Sequence, residues 1–323
     1  MSAALITIGM TCYNSRNTIA QAIASALAQD WTNSEIVIVD DGSSDDSVSV
    51  IKEKIKNHEN ARLIVHEKNK GFAGALNTII DNARGEFLAI FDDDDVSVPH
   101  RLTRQYDRIT KYGHDYGASM VVCHVARTQR FPNGYERYEP TMGTVEGQVA
   151  PNGKDVADRI LIGRLSHDVV GSCANCSRMA RIGVYRQMNG FDSAMFRAED
   201  TDMNIRLALA GAHFVGIAEP LVIQSMTAGK GQEKTLTTEY QASLNTLEKH
   251  RAYLENQGWY AFCRAWLDIR FDYLFGRKVR FVTGLTRLFI QYPIKVAYKI
   301  TWAIPAGKTR RDFKKWHQQK LNG

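Results

Sequence analysis

Four consecutive aspartates, Asp92 to Asp95, stand directly behind the apolar run FLAIF at residues 87–91. Two uncompensated carboxylates about 4 Å apart cost roughly 4 kcal/mol at an effective dielectric near 20. A solvated loop would disperse that charge, but an apolar run delivers the acids to the end of a buried strand. A positive charge is therefore expected to meet them. In extended backbone alternate side chains share a face, so Asp92 and Asp94 should separate from Asp93 and Asp95. A D-x-D pair so placed suits a hard divalent cation, Mg²⁺ or Mn²⁺, which takes oxygen ligands and bridges to phosphates. A solvated acidic turn is the better reading for an isolated run of four aspartates. Here a second apolar run ends at Asp41, which favours a cation held together with a nucleotide diphosphate.

These acids need elements to position them. Over residues 1–125 short apolar runs alternate with helical periods: ALITIGMTC, then Ile19, Ala22, Ile23, Ala26 and Leu27; EIVIVDD, then Val48, Ile51 and Ile55; ARLIVH, then Leu76, Ile79, Ile80 and Ala83; and finally EFLAIF. Gly42 permits the turn after the second strand, Ser43 or Ser44 is placed to cap the following helix, and Gly85 to close the third. Asp45 and Asp46 read as helix-capping acids. The pattern predicts an α/β fold with an open, mostly parallel sheet flanked by helices. Ligands of such sheets lie beyond the carboxyl ends of the strands. Three of the predicted ends carry polar groups: Thr11, Tyr13 and Asn14; Asp40 and Asp41; and Asp92 to Asp95. Residues 127–165 are less periodic and read as an excursion that shapes a pocket. At 195–216 an acidic entry, Glu199, Asp200 and Asp202, opens a helix and complements its dipole. Asp202 reads as a helix-start carboxylate. Residues 236–275 read as helical, with Leu244, Leu247, Tyr253 and Leu254 on one side.

The segments TCYNSRNTIAQAIASALAQ, EIVIVDDGSSDDS, NKGFAGALNTIIDNARGEFLAIFDDDDVSVPHRL and GFDSAMFRAEDTDMNIRLALAG, in that order, resemble the successive signatures of family 2 glycosyltransferases with the GT-A fold. The resemblance implies that Thr11, Tyr13 and Asp41, with Asp40 beside them, hold the nucleotide base. It sets Asn69 and Gly71 near the nucleotide, and Asp92 and Asp93 near the donor sugar. Aligned through Pro99, the family's D-x-D falls on Asp92 and Asp94, with Asp94 the foremost metal ligand and Asp95 at a further acidic position. The family's E-D pair falls on Glu199 and Asp200, and Asp200 takes the role of general base in an inverting displacement. Neither a Q-x-x-R-W motif nor several membrane spans occur, which favours addition of a single sugar over processive synthesis. No His lies between 214 and 249, where some relatives supply a further metal ligand. Residues 225–235, SMTAGKGQEKT, read either as a loop closing over the donor or as a plain connection.

Charge is divided unevenly along the chain. Residues 277–323 hold twelve Lys and Arg against one acid, Asp312, whereas residues 1–276 hold twenty-nine against thirty-four, a balance of −5. The basic stretch interleaves its charges with Phe, Leu, Ile, Tyr and Trp and has no apolar run of about 18 residues, so it suits an interfacial helix on an anionic membrane better than a span. Pro293 and Pro305 should divide it, and Trp302 and Trp316 are candidate interface anchors. Packing on the catalytic domain as ordinary core is the competing reading. No nucleic-acid-binding module accompanies the charge. Five cysteines, at 12, 123, 173, 176 and 263, fit a reducing compartment, and Cys173-x-x-Cys176 reads as two half-buried thiols before a zinc site. The expected organisation is a catalytic domain over 1–235, a helical segment over 236–276 packing on it, and a basic membrane-associating extension over 277–323. The expected protein is a cytoplasmic, membrane-peripheral, inverting transferase moving one sugar from a UDP-sugar to a lipid-linked saccharide in surface glycan assembly. Two alternatives share the carboxylates: a nucleotidyltransferase, whose Gly-rich basic loop is missing from TCYNSRNT, and an inactive sugar-nucleotide or membrane scaffold.

Overall fold

A computed structural model describes residues 3–164, 168–226 and 235–299. Most of the 225–235 loop, and Trp302, Pro305, Asp312 and Trp316, lie outside the described residues. The chain divides into two compact units. The first runs to Met226, omitting Phe131–Tyr135 and Asp158–Arg164. The second takes those two segments and the described residues from 235 onward.

Strands β1 (Ile6–Cys12), β2 (Ser34–Asp40), β3 (Ala61–Val65) and β4 (Phe87–Phe91) alternate with helices α1 (Ile19–Leu27), α2 (Ser47–Ile55) and α3 (Gly71–Asn82). Every residue of β1 and β4 is buried, as expected of strands covered on both faces. Ile6, Ile8 and Met10 pack with Ile19, Ile23 and Ala26 of α1 in one core cluster. The order is β3-β2-β1-β4 and all three pairings are parallel, so four carboxyl ends open on one rim. The strand order reverses between β1 and β4, the position where open α/β sheets form a crevice.

Beyond β4 the sheet is mixed. It continues through β8 (Arg178–Arg181), β6 (Val121–Arg130) and β9 (His213–Ser225) to β5 (Val96–Ser97), with β7 (Glu136–Glu139) on β6. Helices α4 (Arg101–Tyr116), α5 (Gly153–Leu161), α6 (Ile182–Gln187) and α7 (Glu199–Leu209) connect these strands. β8 runs antiparallel to β4, which brings the residues before Arg178 to the same rim as Asp92.

Three local expectations are corrected. Residues 127–165 are no simple excursion, because β6 and β7 extend into them. Buried Arg127 and Gln129 both bond the Gln224 side chain, so a polar sequence can occupy a strand. Gly85 does not close α3; the helix ends at Ala83 in extended backbone. A Cβ on Gly85 would lie 2.6 Å from the Thr7 nitrogen, so this glycine permits close approach to β1. Neither Ser43 nor Ser44 caps α2: Asp45 accepts from the Ser47 N–H at 3.0 Å, while Ser43 bonds Asp40. Gly42 does make the expected turn, at φ +76°.

In the second unit, α8 (Leu236–Lys249), α9 (Arg251–Asn256), α10 (Tyr260–Leu274) and α11 (Lys278–Gln291) follow in turn. The Tyr240 hydroxyl bonds Asp268 at 2.7 Å across α8 and α10. No helix among the described residues is long and apolar enough to cross a membrane.

Candidate active site

The loops at the carboxyl ends of β1, β2 and β4 are bonded to one another. The Tyr13 N–H donates to Asp93 Oδ2 at 3.1 Å, and the Ser15 hydroxyl donates to the same oxygen, so β1 and β4 are tied across the crevice. The Asn14 N–H donates to Ser43 Oγ at 2.9 Å, and Asn14 Oδ1 accepts from the Ser44 N–H at 2.8 Å. Asn14 reaches this position with φ +53°, a left-handed conformation that asparagine tolerates better than most residues. Tyr13 is 45% exposed above this frame, an open aromatic face beside the crevice. Thr11 is buried in β1 below it.

Asp41 and Asp40 point to different partners. Asp41 Oδ1 accepts from the Lys70 N–H at 2.8 Å and meets His66 Nδ1 at 2.6 Å, while His66 Nε2 meets Thr78 Oγ1 at 2.9 Å. The carboxylate is therefore fixed between β3 and α3. Asp40 is fully buried and takes the Ser43 N–H and hydroxyl, so it shapes the turn. Asn69 accepts the Gly71 N–H at 2.9 Å, and Gly71 opens α3 at φ +77°. This segment lies against the Asp41 turn, since a Cβ on Gly42 would meet the Asn69 nitrogen at 3.0 Å.

The four aspartates do not alternate as a strand would. The chain turns at residues 93–94, and a turn brings positions i and i+3 together. Asp92 and Asp95 thus share a pocket with Cys176, each offering one ligand atom within 4.8 Å of the others, whereas Asp93 faces Tyr13 and Ser15. Asp95 Oδ1 accepts the Ser225 N–H at 2.9 Å. Asp92 Oδ1 and Asp95 Oδ2 are buried without a hydrogen-bond partner among the described residues. Burial raises the Asp92 carboxyl well above the usual range, reinforced by Asp95, Asp94 and Asp93. Burial pushes Asp93 up to about 6 despite its bond from Ser15, and Asp95 up to about 6 with Asp94 adding to the effect.

Two buried arginines supply part of the positive charge that the sequence calls for. Arg101 donates to the Ile90 carbonyl (2.9 Å), Ser97 Oγ (2.9 Å) and Gln105 Oε1 (3.0 Å), with its guanidinium 4.2 Å from the Phe91 ring centre. Burial lowers its pKa to about 10, so it remains charged at neutral pH. Arg127 donates to Gln224 Oε1 (2.7 Å) and Ser172 Oγ (2.6 Å) and lies 3.7 Å from Cys176 Sγ. Neither donates to the two unsatisfied oxygens, which fit a cation with oxygen ligands. Cys176 is buried rather than half-buried, and burial with Asp92 and Asp95 nearby raises its thiol pKa well above normal.

The acidic start of α7 joins the same rim. Asn175 Nδ2 lies 3.4 Å from Glu199 Oε1, and Asn204 Nδ2 donates to the Cys173 carbonyl at 2.8 Å. Burial, with Asp200 adjacent, raises Glu199 to about 7, and Glu199 in turn contributes to the shift of Asp92. Asp200 Oδ1 accepts from the Thr201 N–H at 2.6 Å, which fixes the carboxylate plane. Ala198, just before, holds φ +64°, a strained conformation for a residue with a Cβ. Asp202 is fully buried and accepts from Arg206 Nε at 2.8 Å, one turn further along the helix. His66, Arg101, Arg127 and Asn175 were not singled out in the sequence. Arg101 alone carried a signal there, as the basic residue that follows the acids inside the DDDDVSVPHRL block.

The description "Glycosyl transferase family 2" belongs to the family model that matches residues 7–181. Over 107 residues the chain is 36% identical to the UDP-Glc:alpha-D-GlcNAc-diphosphoundecaprenol beta-1,3-glucosyltransferase WfgD of Escherichia coli, covering 33% of this chain and 42% of that protein. Across the curated relatives considered with it, the chain spans between 27 and 44% of their length. The structure of S. aureus TarS 1-349 in complex with UDP-GlcNAc superposes with a TM-score of 0.57 at 18% identity, over 75% of this chain and 65% of that one. The mannosyltransferase PcManGT from Pyrobaculum calidifontis, in complex with GDP-Man and Mn2+, gives 0.55 at 16% identity, over 98% and 84%. At these identities the two structures speak for the fold, an α/β GT-A architecture.

Proposed function

Because the chain belongs to glycosyl transferase family 2, we propose that it is an inverting glycosyltransferase adding one sugar from a UDP-sugar to a lipid-linked saccharide in surface glycan assembly, peripheral on the inner face of the cell membrane. One observation carries the reading: segments far apart in sequence converge on one rim, where two buried carboxylate oxygens have no nitrogen or oxygen donor among the described residues and only the Cys176 thiol stands beside them. The oxygens of Asp92 and Asp95, with Cys176 beside them, fit Mg²⁺ or Mn²⁺, and Asp94 is the neighbouring carboxylate in the same turn. Asp94 and Asp92 would hold the ion, which when bound supplies a counter-charge to the donor diphosphate. Tyr13 offers its exposed face to the base, and Asp41, fixed by His66 and the Lys70 N–H, accepts from a base N–H, with Thr11, Asn69 and Gly71 closing that side. Asp92 and Asp93 orient the donor sugar.

Asp200 takes the proton from the acceptor hydroxyl as that oxygen attacks the anomeric carbon, while the bond from that carbon to the diphosphate oxygen breaks and the nucleoside diphosphate leaves with the electron pair. Its bond from Thr201 holds the carboxylate in one orientation, and Glu199 beside it, with its raised pKa, limits the charge crowded at that point. Inversion follows from a single displacement. The lipid-linked acceptor draws support from WfgD, which acts on a diphosphoundecaprenol-linked sugar, and the UDP donor from WfgD and the UDP-GlcNAc complex of TarS. A panel of nucleotide sugars assayed for turnover with and without Mn²⁺ tests the reading. Asp94→Ala should lose at least about 100-fold in turnover, of the order seen when a transition-state charge loses its counter-charge. Asp200→Asn should keep donor affinity within about twofold while transfer falls 100-fold or more. Full transfer by Asp200→Asn would remove the base assignment, and turnover indifferent to Mn²⁺ and to Asp94→Ala would remove the metal.

A further inference from the structure

Helix α11 (Lys278–Gln291) presents two apolar faces, and among the described residues only one is covered. On the inner side Leu288 is 2% exposed, and Gly284 sits so close to α10 that a Cβ there would meet Ile269 Cγ1 at 2.9 Å. Phe281 adds a ring contact with Tyr273, 5.2 Å between centres. The core demand of this helix is thus met by α10. On the outer side Val279 is 77% exposed, Val282 57%, Phe289 53% and Ile290 75%, and Ile294 just beyond is 84% exposed. At about 100° per residue, Val279, Val282, Thr283, Thr286, Phe289 and Ile290 fall in one sector of about 120°. Exposed Lys278 borders that sector on one side, and exposed Arg280 and Arg287 border it on the other.

We infer that this outer stripe of α11 is a docking surface for an anionic lipid bilayer. Soluble surfaces seldom leave so many large apolar side chains contiguous and bare. An apolar stripe between two basic margins matches the headgroup boundary, where the stripe enters the acyl edge and the cations meet phosphate. Residues 277–299 hold six basic residues and no acid. A second copy docked by a two-fold axis would set these basic margins against their equivalents, like charge on like. Residues 300–323 carry six more basic residues and one acid, so they too share the sign of the margins they would have to cover. A negatively charged surface is the complement. The inference rests on the peripheral attachment proposed above and gives it a surface; its failure would remove attachment through α11 and leave the proposed sugar transfer untouched.

Co-sedimentation of the full-length chain with vesicles tests it, without donor or acceptor. Phosphatidylcholine vesicles containing phosphatidylglycerol are compared with pure phosphatidylcholine. The wild type should partition at least about tenfold better to the anionic vesicles, since each cation near such a surface contributes about 1 kcal/mol. The charge-neutral double variant Val282→Ser/Ile290→Ser should lose about tenfold or more of that binding through lost apolar burial, with an unchanged thermal midpoint because both side chains are exposed. Equal partitioning of wild type and variant would overturn the inference. So would a wild-type dimer in light scattering that becomes monomeric in the double variant while vesicle binding stays the same, which would assign the stripe to a second copy.

Discussion

Asp95 is 5% exposed, accepts the Ser225 N–H on one oxygen, and has no nitrogen or oxygen donor for the other among the described residues. Its carboxyl titrates near 6 in the folded chain, against 3.8 for an ordinary aspartate, because burial and the neighbouring Asp94 disfavour charge. Between those two pH values the folded state binds the extra proton, so stability falls as pH rises through about 4 to 6 and levels off above. Asp95→Asn removes that slope. Any fixed cost of the buried amide is the same at every pH, so the pH dependence reports the coupled carboxyls, Asp95 directly and Asp92 through the charge it no longer faces. With cations chelated, the variant should gain on the wild type by on the order of 2–3 kcal/mol between pH 4 and pH 7.5 in denaturant titrations, and a flat difference would refute the assignment. Added Mn²⁺ should reverse the wild-type trend by binding only the folded, ionised site. That acids meet at this rim could be read from FLAIFDDDD. The grouping of Asp92 with Asp95 could not, because it depends on a turn that an apolar strand pattern does not announce.

At the scale of elements, the start of α7 places strain beside the proposed base. Ala198 holds φ +64° directly before Glu199 and Asp200, a conformation that costs a residue with a Cβ about 1–2 kcal/mol. Ala198→Gly should relieve most of that cost, offset by the greater freedom of glycine in the unfolded chain, for a net gain of about 0.5–1 kcal/mol in thermal unfolding. The same change should loosen the peptide that orients Asp200. Transfer should therefore fall severalfold while stability rises, and a variant that gains both would show that the strain has no role. The first four strands and three helices were legible because each reduces to an apolar run or a 3.6-residue period closed by a turn signal. The second half of the sheet was less so. β6 carries His124, Arg127 and Gln129 into the interior, and β8 begins with fully buried Arg178, which donates to Asn204 Oδ1 at 2.6 Å. Polar strands of this kind are stable only because partners distant in sequence satisfy them, and a single segment read alone does not show those partners. Cys176 belongs to the same class, since its C-x-x-C spacing drew attention but its place beside Asp95 comes from the β4–β8 pairing.

For the whole molecule, the division of charge gives the bilayer inference its measurable consequence. A balance of −5 over residues 1–276 and +11 over 277–323 means that attraction to an anionic surface is local to the basic end, while the rest of the chain is mildly repelled. Such attraction weakens with salt, because the screening length shortens from about 10 Å at 0.1 M to about 3 Å at 1 M. Burial of Val279, Val282, Phe289 and Ile290 does not weaken with it. Two classes of variant should therefore separate. Arg280→Gln/Arg287→Gln should bind anionic vesicles about thirtyfold more weakly at low salt, two charges at near 1 kcal/mol each, and lose less as salt rises. Val282→Ser/Ile290→Ser should keep the electrostatic part and lose nearly all remaining attachment at high salt. If both variants followed the same salt curve, the stripe and its basic margins would not be acting as two independent contributions. Attachment by both terms would keep the protein at the surface where a lipid-linked acceptor must diffuse, and would reduce the search for that acceptor from three dimensions to two.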